Sequence, residues 1–295
     1  MLLKAALMAA EDHGLEAVHV RLDELRLPSG PEAGEKTDDA DWFLEHYLDA
    51  DALIASAPIY TRALPGTLKV LIDRVLGPKL DVVMAEEAAS GGEPEESSPL
   101  GFEVSADPRV LKPRVAGLIT VGGCREPQWR SLALPLLHSL TFSTQVAVVD
   151  QVDLLTPAVP GGVVTDDATV ERTRQLGKAV AQQAGVPYDQ ARYGGREGTC
   201  PVCHLNLIML RETYVECGTC GARGRFRTDG DRVSIEFPPD GIRKSLFTIE
   251  EKRLHSAELS VNATGGPDSA EVERRGDPYR RYERAARPRE VTSGC

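Results

Sequence analysis

The chain has 295 residues, 41% of them hydrophobic, enough for a substantial core, and a formal net charge of −11. That balance argues against a nucleic-acid-binding protein, since a negative surface repels phosphates; no apolar run approaches the ~18–20 residues of a membrane span. The opening MLLKAALMAAEDHG has the look of a signal peptide, but its apolar stretch is short and runs into Glu11-Asp12. An amphipathic helix with Leu3, Leu7 and Ala10 on one face is the better reading, and a cytoplasmic location is the expectation.

In chain order, residues 2–13 are predicted helical, and EAVHVRL (16–22) alternates like a strand. After the loop LPSGPEAGEKTDD, a helix is predicted over 41–48, a continuous apolar strand over 52–57 and a helix over 64–76. Residues 77–111 form a long acidic insertion without periodicity. RVAGLITV (114–121) is a buried-type strand ending in Gly122-Gly123-Cys124; a helix over 127–142, a strand over 145–150 and a long helix over 166–184 follow. Strands alternating with helices imply βαβ crossovers and a parallel sheet covered on both faces. This α/β domain spans 1–187, with a polar linker at 188–198. A cysteine module is expected over 199–260, and a Gly-, Pro- and charge-rich tail without fixed structure over 261–295.

The stretch DALIASAPIYTRALPGTLKVLIDRV places Pro58, Tyr60, Pro65, Gly66, Leu68, Lys69, Asp73 and Arg74 in one register. It resembles the third strand, flavin loop and following helix of flavodoxin-like NAD(P)H-dependent FMN reductases and multimeric flavodoxins. TVGGCREPQW is similar to a second loop of that family, and the resemblance covers about residues 2–184. It implies a flavodoxin-like, doubly wound parallel sheet binding FMN at the C-terminal ends of its strands. Pro58, Ile59, Tyr60, Thr61 and Arg62, with Val121, Gly122, Gly123 and Cys124, are the implied cofactor-binding residues. Their backbone would supply amide donors and close approach, with Tyr60 as a wall against the ring; ordinary βα turns are the alternative.

The resemblance further implies NAD(P)H as hydride donor, a quinone, flavin or other small electron acceptor, and a homo-oligomer. No catalytic side chain is assigned, because the flavin carries the hydride chemistry. A non-catalytic redox carrier or interaction protein with a degenerate flavin domain is the alternative. Arg62 and Arg125 read either as contacts to a nicotinamide phosphate or as solvated surface charge; His13, His19, His46 and His138 share no ligand spacing and receive no role. The family's first strand and phosphate loop find no counterpart, so the first strand is expected to be missing and the reading to be a truncated one.

CPVCHLNLIMLRETYVECGTC sets Cys200, Cys203, Cys217 and Cys220 in two Cys-x2-Cys knuckles separated by thirteen residues. Two such knuckles can place four sulfurs tetrahedrally around one ion, and the β-prone residues between and after them resemble a zinc ribbon. A structural Zn2+ is the expectation. A rubredoxin-like iron site, whose knuckles lie farther apart, and a reactive dithiol are the alternatives. Arg223, Arg225 and Arg227 read as surface charge or a protein-partner interface rather than a nucleic-acid contact.

Overall fold

The computed structural model describes residues 1–28, 38–76, 80–90, 107–156, 159, 161–264 and 266–281. Parts of the acidic insertion, the loop before the second helix and the end of the tail lie outside them.

The elements begin with α1 (Leu2–Glu11), α2 (Ala40–Asp49), β1 (Ala52–Pro58), α3 (Gly66–Val75) and α4 (Val82–Ala89). They continue with β2 (Val115–Gly122), α5 (Ala133–Leu137), β3 (Ala147–Leu155) and α6 (Asp167–Gln183). β1, β2 and β3 form a parallel sheet in that order. β2 lies at its centre and is buried at seven of its eight positions, which is why VAGLITVG shows no alternation. Helices cover both faces. Leu44, Leu48, Leu71, Val75 and Leu137 from α2, α3 and α5 pack on one face with Leu118, while Leu2, Ala6, Leu176 and Val180 from α1 and α6 pack on the other with Ile119 and Val149. α1 and α6 meet so closely that a Cβ at Gly177 would lie 2.0 Å from the Ala6 carbonyl oxygen. This is the flavodoxin-like α/β fold.

Three local expectations need correction. Residues 16–22 form no strand: Leu15–Val20 line an apolar groove of about 580 Å3 along the free edge of β1, and among the described residues no strand pairs with them. The alternation does not sort into a buried and an open side, since consecutive residues line the groove and Val18 is exposed; a ladder needs an adjacent strand. The groove is lined by residues of α1, α2 and β1. The insertion contains a real helix, α4, started by Asp81, whose carboxylate accepts from the Val83 amide at 2.8 Å and the Met84 amide at 3.2 Å. The helix predicted over 127–142 is broken into α5 and 3₁₀ turns at Pro127–Trp129 and His138–Leu140.

The second sheet is antiparallel: β4 (Ile208–Leu210), β5 (Val215–Cys217), β6 (Arg223–Asp229) and β7 (Arg232–Glu236), in that order. Together with the four cysteines it makes a small zinc-ribbon-type module. α7 (Pro239–Ile242), α8 (Ile249–Thr264) and α9 (Ser269–Arg280) follow, so among the described residues helix extends into the stretch expected as an unstructured tail. Among the described residues no helix is long and apolar enough to cross a membrane.

The module does not hang free. Tyr188 packs against both the α1–α6 core and the cysteine core, and Leu205 against both the α2–α3 core and the cysteine core. The segment read as a linker lies along the outer edge of β3, where the Gly194 amide donates to the Val149 carbonyl at 2.8 Å. Beside it, Arg172 grips the buried Asp150 carboxylate with two nitrogens, at 2.5 and 2.7 Å.

Candidate functional site

The parallel register brings Pro58 opposite Val121 and Gly122 opposite Leu155, so the loops after all three strands open at one end of the sheet. Ligands of open α/β sheets bind there. After β1 the backbone folds into a two-residue turn, with Tyr60 and Ala63 exchanging amide–carbonyl bonds of 3.0 Å. Its central residues, Thr61 and Arg62, have φ of 49° and 70°. Left-handed backbone at a β-branched threonine costs on the order of 1–2 kcal/mol, a kind of strain that clusters at ligand sites.

The nine residues implied as cofactor contacts therefore gather on two adjacent loops, but their amides are not equivalent. The Ile59 amide is used by Val121 and the Tyr60 amide by Ala63. Those of Thr61, Arg62, Gly123 and Cys124 have no backbone partner among the described residues, and all four residues are exposed. Arg62 ties the loops together, its Nε donating to the Gln128 carbonyl at 2.9 Å. Two aromatic side chains stand out into solvent here, Tyr60 at 64% exposure and Trp129 at 54%. Nearby, α1 begins without a side-chain cap, and Met1 approaches the position a Gly161 Cβ would take to 3.5 Å, on the loop after β3.

Beneath the second loop lies a group that sequence reasoning missed. Arg130 donates to Asp153 on β3 at 2.5 Å, and Thr120 of β2 donates to the other oxygen of that carboxylate at 3.0 Å. Burial raises the Asp153 pKa, with Arg130 and Thr120 opposing the shift. Gly122 rests on this pair: a Cβ there would lie 2.8 Å from Arg130 Cδ and 3.2 Å from Ile59 Cδ1. The bare backbone is thus required by the packing below. The signal available in sequence was a charge inside an apolar strand, the second aspartate of VVDQVDLL.

These features fit a flat, hydrogen-bonding cofactor: free amides on two loops, a glycine floor and aromatic flanks. FMN, when bound, would supply the hydride-accepting chemistry; the chain supplies amide donors and orientation.

The cysteines form a separate centre. All four ligand sulfurs lie within 4.8 Å of one another and are buried. Cys200 and Cys220 Sγ are 3.5 Å apart, Cys203 and Cys217 Sγ 3.4 Å. A tetrahedral zinc with sulfurs at ~2.3 Å would separate them by ~3.8 Å, so the donor set fits with small adjustment. Hydrogen bonding among the sulfurs lowers the Cys200 and Cys217 pKa values and raises those of Cys203 and Cys220. Four thiolates without a cation would repel one another, and a dication removes that conflict. Behind the centre, Gln151 on β3 donates to the Cys203 carbonyl at 2.7 Å and faces His138 Nε2 at 2.7 Å. Burial holds the His138 pKa down to about 4.

Comparison with known proteins identifies the family. The family profile described as NADPH-dependent FMN reductase matches residues 1–94. Flavone synthase cfoJ of Aspergillus candidus is 34% identical over 283 residues, covering 89% of this chain and 84% of that protein. A solved structure described as flavone reductase superposes with a TM-score of 0.78 at 25% identity, covering 97% of this chain and 94% of that one. With the sheet, the paired loops and a relative matched along most of its length, the chain belongs to the NADPH-dependent FMN reductase family and is an NAD(P)H-dependent FMN oxidoreductase.

Proposed function

We propose that this enzyme transfers electrons between a nicotinamide and a flat aromatic ketone of the flavone class at FMN held by the two strand-end loops. The observation that carries the reading is the pairing of free amides at Thr61, Arg62, Gly123 and Cys124 with the exposed rings of Tyr60 and Trp129. Amides suit a polar ring edge, and aromatic side chains suit the face of a planar partner. In this reading Pro58, Ile59 and Val121 hold the loops in place, Gly122 lets the backbone approach, and Tyr60 forms the wall. Arg62 and Arg125 offer positive charge to a nicotinamide phosphate. The relatives named for flavone support the substrate class, and their names, synthase and reductase, point to a hydrogen transfer that can run either way.

The four cysteines hold one structural zinc in this account. Four protein ligands leave no open position for water or substrate, so the ion organises the module rather than the reaction.

The test is anaerobic. FMN-loaded protein is mixed with NADH or NADPH, then with flavone, a quinone or free flavin, and bleaching and recovery of the flavin absorbance are followed. Rapid recovery with flavone supports the reading. Bleaching followed by recovery with quinone or free flavin but not with flavone removes the substrate assignment while leaving the oxidoreductase intact.

A further inference from the structure

The second strand-end loop runs from Gly122, the buried last residue of β2, to Ala133, the buried first residue of α5. All residues from 123 to 129 are exposed, so none of them anchors the loop by burial. Its start is fixed by backbone: the Val121 carbonyl accepts from the Ile59 amide at 2.9 Å, and the Gly122 carbonyl from the Thr156 amide at 3.0 Å. Its far end is fixed differently. Among the described residues from 123 to 132, Arg130 carries the one side-chain hydrogen bond to the sheet.

That bond goes to Asp153 on β3 at 2.5 Å. Asp153 is the sole polar partner of the Arg130 side chain among the described residues, since Arg130 Nε is buried without one. The carboxylate is itself set by the sheet: the parallel register puts Asp153 opposite the fully buried Thr120, which donates to its other oxygen at 3.0 Å. From this fixed point the Arg130 stem packs back under the start of the loop, where a Cβ on Gly122 would lie 2.8 Å from Arg130 Cδ. The two ends of the loop therefore meet, and one charge-assisted pair holds them together. Trp129 directly precedes Arg130, and Gly123 and Cys124, whose amides have no backbone partner among the described residues, directly follow Gly122. A shift at the base moves both the ring and the amides.

We propose that Asp153 and Arg130 are the positioning pair of this loop: they close its base against Gly122 and so fix where the Gly123 and Cys124 amides and the Trp129 ring stand when FMN binds. The proposal rests on the reading of these loops as the FMN site. Binding groups carried on a loop are only as well placed as the contacts that support them. Neither residue needs to touch the cofactor; each acts through the backbone it holds.

The test uses the full chain as Arg130→Met, which keeps the stem and removes the charge, Asp153→Ala, the double variant, Arg130→Lys and Tyr60→Ala. FMN affinity is read by flavin fluorescence titration, and the midpoint potential of the bound flavin by spectroelectrochemistry. Arg130→Met and Asp153→Ala should each weaken FMN by about tenfold or more, and the double variant no further than either, because both changes break one contact. Arg130→Lys, which can still pair with Asp153, should recover most of the affinity. The potential of the bound flavin should move in both single variants, whereas a loss of fold stability alone would leave it at the wild-type value. Wild-type affinity in folded Arg130→Met, an unmoved potential, additive losses in the double variant, or no recovery with Arg130→Lys overturns the proposal. If Asp153→Ala fails to fold, Arg130→Met and Arg130→Lys decide. Tyr60→Ala separates the pair from the reading beneath it. FMN weakened there but not by Arg130→Met leaves the site standing and the pair without a role; FMN unchanged in every variant removes the site and the pair's role with it.

Discussion

The parallel sheet and the antiparallel cysteine sheet are ordered by different physics. The first buries broad apolar faces against helices on both sides and leaves one edge and its strand-end loops open. The second has little apolar area of its own: β6 and β7 are mostly exposed, and the module's core is four cysteines with Ala222 and Phe247. A region held by hydrophobic area tolerates local change, because the loss at one contact is a small part of the total. A region held by one ion, as proposed for this module, would not. Yet the two are not separate, since Gln151, Tyr188 and Leu205 tie the cysteine core to the sheet.

The largest effect should come from the ion. Structural zinc contributes on the order of 10 kcal/mol to a module of this kind, so Cys217→Ser should release the metal and unfold the cysteine sheet. Because the seam is shared, the melting temperature of the sheet domain should fall too. Elemental analysis, limited proteolysis and calorimetry together decide; a metal-free module that stays intact would remove the ion from the account. Next in size is the bidentate pair under the linker. Asp150→Ala strands Arg172 beside a buried edge and should cost about 3 kcal/mol, read as a lower urea midpoint with unchanged slope. A change under 1 kcal/mol would mean that the segment along β3 is held by packing alone.

A smaller effect depends on pH. The His138 pKa is depressed from 6.5 to about 4 by burial, so below pH 6.5 the unfolded chain takes up a proton that the folded chain refuses. Stability should therefore fall as pH drops from 6.5 towards 4, by about 2 kcal/mol at pH 5 from this group. His138→Phe should flatten the profile over that interval. An unchanged slope would show that carboxylates dominate the acid limb.

How much of this was legible in the sequence follows from the same contrast. The knuckle spacing of Cys200–Cys220 gave the cysteine cluster directly, because two Cys-x2-Cys turns bring four sulfurs together from residues close in sequence. β1, β2 and α6 were legible from apolar runs and periodicity, and the loops at Pro58–Arg62 and Val121–Cys124 from their resemblance to a family. Residues 16–22 misled because alternation reports which side is apolar, not whether a partner strand is present. Arg130, Asp153, His138 and Gln151 were invisible as a set, since their contacts join β2, β3 and the module across the fold. No local pattern records a long-range hydrogen bond.

The account turns on the two strand-end loops as the FMN site, and one titration tests it most directly. FMN binding is followed by flavin fluorescence for the wild-type chain, Gly122→Val and Tyr60→Ala. Gly122→Val pushes a branched side chain into Arg130 and Ile59 and should weaken FMN at least tenfold, about 1.4 kcal/mol; Tyr60→Ala should weaken it less, through loss of the wall. If a folded Gly122→Val protein binds FMN as tightly as the wild type, the cofactor does not sit on these loops.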